Sequence, residues 1–173
     1  MSRQLNDVEL AMAAASAGAA EVRMRYAESH ELFAKGVHDF ATEADLASEQ
    51  AIRAMLHDLR PDDAVTGEEV GTTGAGAGGR EWLVDPLCGT RNYAVRTTLV
   101  AVNVALRTPD GVLAAASIDP LSGETFWDRR DRGLPSHPER RGADGPVRIL
   151  RAGGLLAAAD QATHASLVKM LDP

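Results

Sequence analysis

The chain has 173 residues, 45% of them hydrophobic and 25% charged, a composition that excludes disorder and suits one globular domain or one and a half. Its formal net charge of -7 argues against a general surface for nucleic acid or anionic membrane, so an anionic substrate needs local positive charge from a metal or an aimed arginine. The single cysteine, Cys88, excludes an internal disulfide and a zinc ribbon.

In chain order, Met1 to Leu10 lacks the basic start and long apolar core of a signal peptide. No run anywhere reaches the roughly 18 apolar residues of a membrane span, and the expected location is the cytoplasm. Asn6 is a good N-cap, with Glu9 three residues later as in a capping box. Val8, Met12, Ala15, Ala19, Val22 and Tyr26 then form one apolar stripe at helical spacing. Gly36 marks a break. A second helix is expected after Thr42, burying Ile52, Met55, Leu56 and Leu59, and Pro61 stops it.

The pattern then changes. Ala64 to Thr66 is a short strand leading into Gly67-Glu68-Glu69, and Gly71 to Gly79 reads as a mobile glycine-rich loop. Trp82-Leu83-Val84 is an apolar strand ending at Asp85. Val100, Val102, Val104 and Leu106 alternate along a further strand, and a turn at Thr108 to Gly111 returns the chain through Val112 to Ile118. A second turn, Asp119 to Gly123, precedes a strand from Glu124 to Trp127. Two helices ahead of a largely antiparallel meander make the fold class α+β. Arg129 to Gly145 reads as irregular, Leu155 to Leu171 as a final helix, with a first domain over 1–150 and the start of another over 151–173.

Three acidic stretches stand at the ends of these elements. Asp45 lies in the expected first turn of the second helix, where the helix dipole alone would account for it. Taken alone, Glu68 and Glu69 read more readily as a solvated loop after a strand. Asp85 is less easily dismissed, because Pro86-Leu87-Cys88-Gly89-Thr90 follows it. Pro86 cannot donate a backbone hydrogen bond, Gly89 permits a tight turn, and Thr90 to Tyr93 can begin a helical turn with free N–H groups facing the same spot. Carboxylates beside amide donors suit a metal-bound phosphate.

These stretches, with Asn92 and Tyr93 after the D-P-x-x-G-T turn, resemble the inositol monophosphatase family of magnesium-dependent phosphatases, in order and spacing from about Val8 to Pro146. The resemblance implies the first half of a layered αβαβα sugar-phosphatase fold. It implies that Glu68, Asp85 and the backbone carbonyl of Leu87 ligate Mg²⁺, with Asp85 bridging toward a second cation. It makes Thr90 and Asp45 the residues that orient and deprotonate the attacking water. The N–H groups of Gly89 and Thr90 would hold phosphate oxygens, and Glu69 would support the ligands from behind. The substrate implied is a small sugar or polyol phosphate such as inositol monophosphate.

Two departures bear on activity. Cys88 stands where the family has a metal-binding aspartate, and a thiol is a poor ligand for Mg²⁺. Cys88 reads as an inert residue of a diverged site, as a shift toward Mn²⁺ or Zn²⁺, or as a thiol that oxidation to a sulfinic acid would make anionic. The family's other metal aspartate lies in a C-terminal W-D-x-A-G-type motif that these residues do not contain; Trp127-Asp128 belongs to the meander instead. The expectation is weak or no turnover by this chain alone. The competing reading is a non-catalytic binding or regulatory member, in which exposed apolar surface favours self-association, for instance as a homodimer. The glycine-rich stretch lacks a nucleotide-binding ending, there is no serine-hydrolase elbow, and the histidines lack ligand spacing.

Overall fold

Asn6 and Glu9 close a reciprocal capping box: the Glu9 N–H donates to Asn6 Oδ1 at 3.0 Å, and the Asn6 N–H donates to Glu9 Oε2 at 2.9 Å. Two of the free donors at the helix start are thereby satisfied. The computed structural model describes residues 5–28, 37–129, 139–142 and 145–148. Its helices are α1 (Asp7–Glu28), α2 (Val37–Leu59) and the short α3 (Thr90–Ala94). Its strands are β1 (Ala64–Gly67), β2 (Gly71–Thr73), β3 (Glu81–Cys88), β4 (Ala101–Thr108), β5 (Gly111–Ile118), β6 (Thr125–Arg129), β7 (Glu139–Gly142) and β8 (Gly145–Arg148).

The strands form one mixed sheet in the order β2-β1-β3-β4-β5-β6-β7-β8. Only β1 and β3 pair in parallel; every other neighbouring pair is antiparallel. The α+β reading therefore holds. The alternation in β4 places Val102, Val104 and Leu106 in one core with Ala114, Ala116 and Ile118 of β5 and with α1.

The expected stripe on α1 is present, but the buried surface is wider and includes Leu10, Ala11 and Ala14. The reason is that α1 packs against both α2 and the sheet. Gly18 makes the helix crossing close. A Cβ there would lie 2.6 Å from Ser48 Oγ and 2.7 Å from Ile52 Cδ1 of α2.

Several expectations are corrected. α2 begins at Val37, not after Thr42, so Asp45 sits in the helix interior and the helix-start dipole does not account for it. Ile52 and Leu56 are buried as expected, whereas Leu59 is 42% exposed at the helix end. Gly71 to Gly79 is not simply a loop. It supplies edge strand β2 and a 3-10 turn at Ala77–Gly79, and Arg53 of α2 fastens it through Thr73 Oγ1 at 2.8 Å and the Gly71 carbonyl. β3 runs past Asp85 to Cys88, with a register shift where Pro86 interrupts the ladder. The region expected to be irregular contributes the β7–β8 hairpin. The break at Gly36, the helix over Leu155 to Leu171 and the boundary at 150 lie outside the described residues.

Candidate active site

The parallel register of β1 and β3 sets Gly67 opposite Val84. Glu68, just past the end of β1, therefore comes level with Asp85 inside β3. Ligands in α/β arrangements collect at such carboxyl ends. α2 adds Asp45 here, and α3 adds Thr90.

Asp45 and Asp85 are only 4% and 5% exposed. Each keeps one carboxylate oxygen, Oδ1, that is buried without a hydrogen-bond partner. The other oxygens are held. Thr90 Oγ1 lies 3.4 Å from Asp45 Oδ2 and 3.1 Å from the Leu87 carbonyl, so its one proton is offered to either acceptor. Asn103 Nδ2 donates to Asp85 Oδ2 at 3.3 Å, a contact that follows from the Asp85–Asn103 pairing across β3 and β4. The Cys88 thiol also donates to the Asp85 carboxylate.

The electrostatics record the crowding. Burial, then the charges of Glu69, Glu68 and Asp85, push the Asp45 carboxyl from 3.8 up to about 8, against the hydrogen bond from Thr90. Burial and Glu68 push Asp85 up to about 6, with Asn103, Cys88 and the Leu87 backbone acting the other way. Burial, Glu68 and Glu49 also raise Glu69. Asp45, Asp85, Glu68 and Glu69 thus repel one another, and two buried carboxylate oxygens among them lack hydrogen-bond partners. That is the donor chemistry of a hard divalent cation, which takes carboxylate and carbonyl oxygens. As they stand, no three of the described Asp, Glu, Cys or His side chains are gathered closely enough to ligate one ion. The residues fit a cation in type and charge, with Glu68 still exposed in the turn after β1.

Asp45, Asp85, Leu87, Cys88 and Thr90 are brought together as the sequence suggested, and Glu68 and Glu69 lie within electrostatic reach of them. Gly89 is buried and takes the left-handed conformation, φ 90°, as the cap before α3, where glycine alone avoids strain. Asp128 stays on β6, opposite Ala115. His57 is exposed.

Sequence reasoning missed four contributors. Asn103 holds Asp85. Ser48 Oγ donates to the Pro86 carbonyl at 2.8 Å. Glu49, fully buried, accepts from the backbone of the Gly67-Glu68-Glu69 turn, and Arg53 pairs with it at 2.7 Å. The available signal was polar residues at helical spacing from Asp45 and on the same face as buried Ile52.

The comparisons with known proteins agree with this architecture. A family model, the inositol monophosphatase family, matches residues 4–170. An inositol-1-monophosphatase of Caulobacter vibrioides is 35% identical over 108 residues, 62% of this chain and 42% of that protein. A histidinol-phosphatase of Streptomyces coelicolor is 38% identical over 96 residues, 53% of this chain and 35% of that protein. The solved structure of Mycobacterium tuberculosis SuhB superposes with a TM-score of 0.66 at 26% identity, over 85% of this chain and 52% of that one. The chain spans about half the length of the relatives it matches, or less. It belongs to the inositol monophosphatase family.

Proposed function

We propose that this chain carries the cation-binding and water-activating half of a phosphomonoesterase that hydrolyses a small sugar or polyol phosphate. The observation that supports this most is the pair of buried, partnerless Oδ1 atoms of Asp45 and Asp85 beside the Gly89–Thr90 turn. Glu68, Asp85 and the Leu87 carbonyl would hold Mg²⁺, with Mn²⁺ or Zn²⁺ as substitutes that the thiol of Cys88 tolerates. When bound, such an ion polarises the phosphoryl group and neutralises charge on the leaving oxygen.

The rest is the work of the chain itself. Asn103 and Cys88 hold the Asp85 carboxylate, and Oδ1 is the oxygen left without a partner. Thr90 holds Asp45 Oδ2, which leaves Oδ1 to take a proton from water. A carboxyl whose affinity for protons is raised toward neutrality suits that task. The water oxygen then bonds to phosphorus as the phosphorus–ester oxygen bond breaks; the leaving oxygen takes a proton from solvent, Asp45 returns to solvent the proton it took, and the products are the alcohol and phosphate. The N–H groups of Gly89 and Thr90 would cradle phosphate oxygens. In phosphoryl transfer, placement and charge supply most of the catalysis. Cation binding and proton abstraction are assigned to these residues, whereas the residues that choose the alcohol are not.

The test is phosphate release from a panel of phosphate monoesters, inositol monophosphate and histidinol phosphate included, with Mg²⁺ or Mn²⁺. Turnover that disappears in Asp45→Asn and Glu68→Gln supports the assignment. Turnover unaffected by both variants sinks it.

A further inference from the structure

Glu49 lies one helical turn beyond Asp45 and is fully buried. A buried carboxylate is costly unless its oxygens are satisfied. Here they are satisfied by the turn that presents Glu68. The Glu69 N–H donates to Glu49 Oε2 at 2.8 Å, and the Val70 N–H donates to Oε1 at 3.1 Å. Gly67 is where the carboxylate enters: a Cβ on that residue would lie 2.4 Å from the Glu49 carboxyl carbon. The glycine of Gly67-Glu68-Glu69 is thus required by a close approach, not by a left-handed turn.

Arg53 completes the arrangement. Its Nε donates to Glu49 Oε1 at 2.7 Å. Its terminal nitrogens donate to the Val65 carbonyl at 3.1 Å, to Thr73 Oγ1 at 2.8 Å and to the Gly71 carbonyl. One ion pair on α2 therefore grips both sides of the β1–β2 hairpin whose tip is Glu68-Glu69. Asp45 projects from the same helix one turn earlier. The helix sets the position of the hairpin tip relative to Asp45.

We infer that Glu49 and Arg53 are positioning residues that hold Glu68 in register with Asp45 and Asp85, through the backbone N–H groups of Glu69 and Val70. The inference rests on the cation reading above and deepens it. Neither residue touches the cation or the reacting atoms.

The test uses Mn²⁺ alone, its binding to the intact chain followed by electron paramagnetic resonance, with thermal melts and amide exchange alongside. Glu49→Gln keeps the side-chain shape but turns one acceptor into a donor facing N–H groups. It is expected to weaken Mn²⁺ binding roughly tenfold or more, as removal of partners behind metal ligands does. It is also expected to speed amide exchange selectively at Glu69 and Val70. Arg53→Lys keeps the charge but loses the fork, and should move both readouts in the same direction; it decides the question if Glu49→Gln gives no cooperative melt. A merely structural role would lower the melting temperature while leaving the Mn²⁺ affinity of the folded protein intact. Mn²⁺ uptake by the parent that both variants leave unchanged overturns the inference alone. No Mn²⁺ uptake by the parent overturns the cation reading beneath it.

Discussion

Ser48 Oγ reaches across from α2 to donate to the carbonyl of Pro86, 2.8 Å away in β3 and next in the chain after Asp85. Both groups are buried. One hydroxyl ties the helix that carries Asp45 to the strand that carries Asp85. Ser48→Ala is expected to leave that carbonyl without a partner and to destabilise the chain by ~1–3 kcal/mol. A denaturant titration measures this. Unchanged stability would mean that another donor already satisfies Pro86.

The same contact explains why α1 carries Gly18. Its side-chain position is filled by Ser48 and Ile52. Gly18→Ala adds helix propensity, which alone predicts stabilisation. Overpacking of a tight crossing costs ~1–3 kcal/mol, and at 2.6 Å from Ser48 Oγ the steric cost should win. The expected outcome is a lower melting temperature, despite the better helix former.

The acids make metal-free stability depend on pH in an unusual direction. Asp45 and Asp85 have folded-state pKa values near 8 and 6, both raised from 3.8. Between 3.8 and these values the folded state binds more protons than the unfolded state, so stability falls as pH rises. The favourable contribution is complete below about pH 4 and is lost through pH 6 for Asp85 and pH 8 for Asp45. Melting curves from pH 5 to 9 in chelator should show this decline, set against whatever other groups contribute. Saturating Mg²⁺ should flatten it, because a cation favours the ionised carboxylates. A metal-free melting temperature that climbs steadily across this range would contradict the burial of these acids.

Asp85→Asn separates folding from function at the same site. Removing a buried charge that faces Glu68 should raise the metal-free melting temperature above pH 7. It should also abolish the upward shift that Mg²⁺ produces in the parent, as Glu68→Gln should. The two readouts move in opposite directions, which a general packing defect would not produce.

Much of this arrangement was legible in the residues. The capping box at Asn6 and Glu9, the alternation of Val102, Val104 and Leu106, and the helical turn that starts at Thr90 after Gly89 each carry a local signal, and each appears as expected. The errors share a cause. The second helix is expected only after Thr42, yet α2 begins upstream at Val37. The glycines from Gly71 to Gly79 suggested mobility, but Arg53 recruits them into the sheet edge. Asn103 holds a partner 18 positions away, and Glu49 and Ser48 hold partners farther still, and no local pattern announces such partners. Local chemistry picks out the acids; the tertiary contacts that aim them emerge only from the fold.

Cys88 supplies the sharpest remaining prediction. It is 1% exposed and donates its thiol proton to Asp85. Cys88→Asp would replace that donor with another carboxylate beside Asp85, in a place where Asp45 and Asp85 already resist ionisation. Without metal, the variant should be less stable than the parent at pH 8, with the deficit shrinking toward pH 5 as the acids take up protons. With Mg²⁺ the order should reverse, because the added hard oxygen binds the ion that a thiol serves poorly. Isothermal titration with Mg²⁺ and melts with and without the ion measure both effects. Tighter Mg²⁺ binding together with lower metal-free stability is the expected pair. A variant that loses stability without gaining Mg²⁺ affinity would place residue 88 outside the cation's reach and leave the thiol as packing alone.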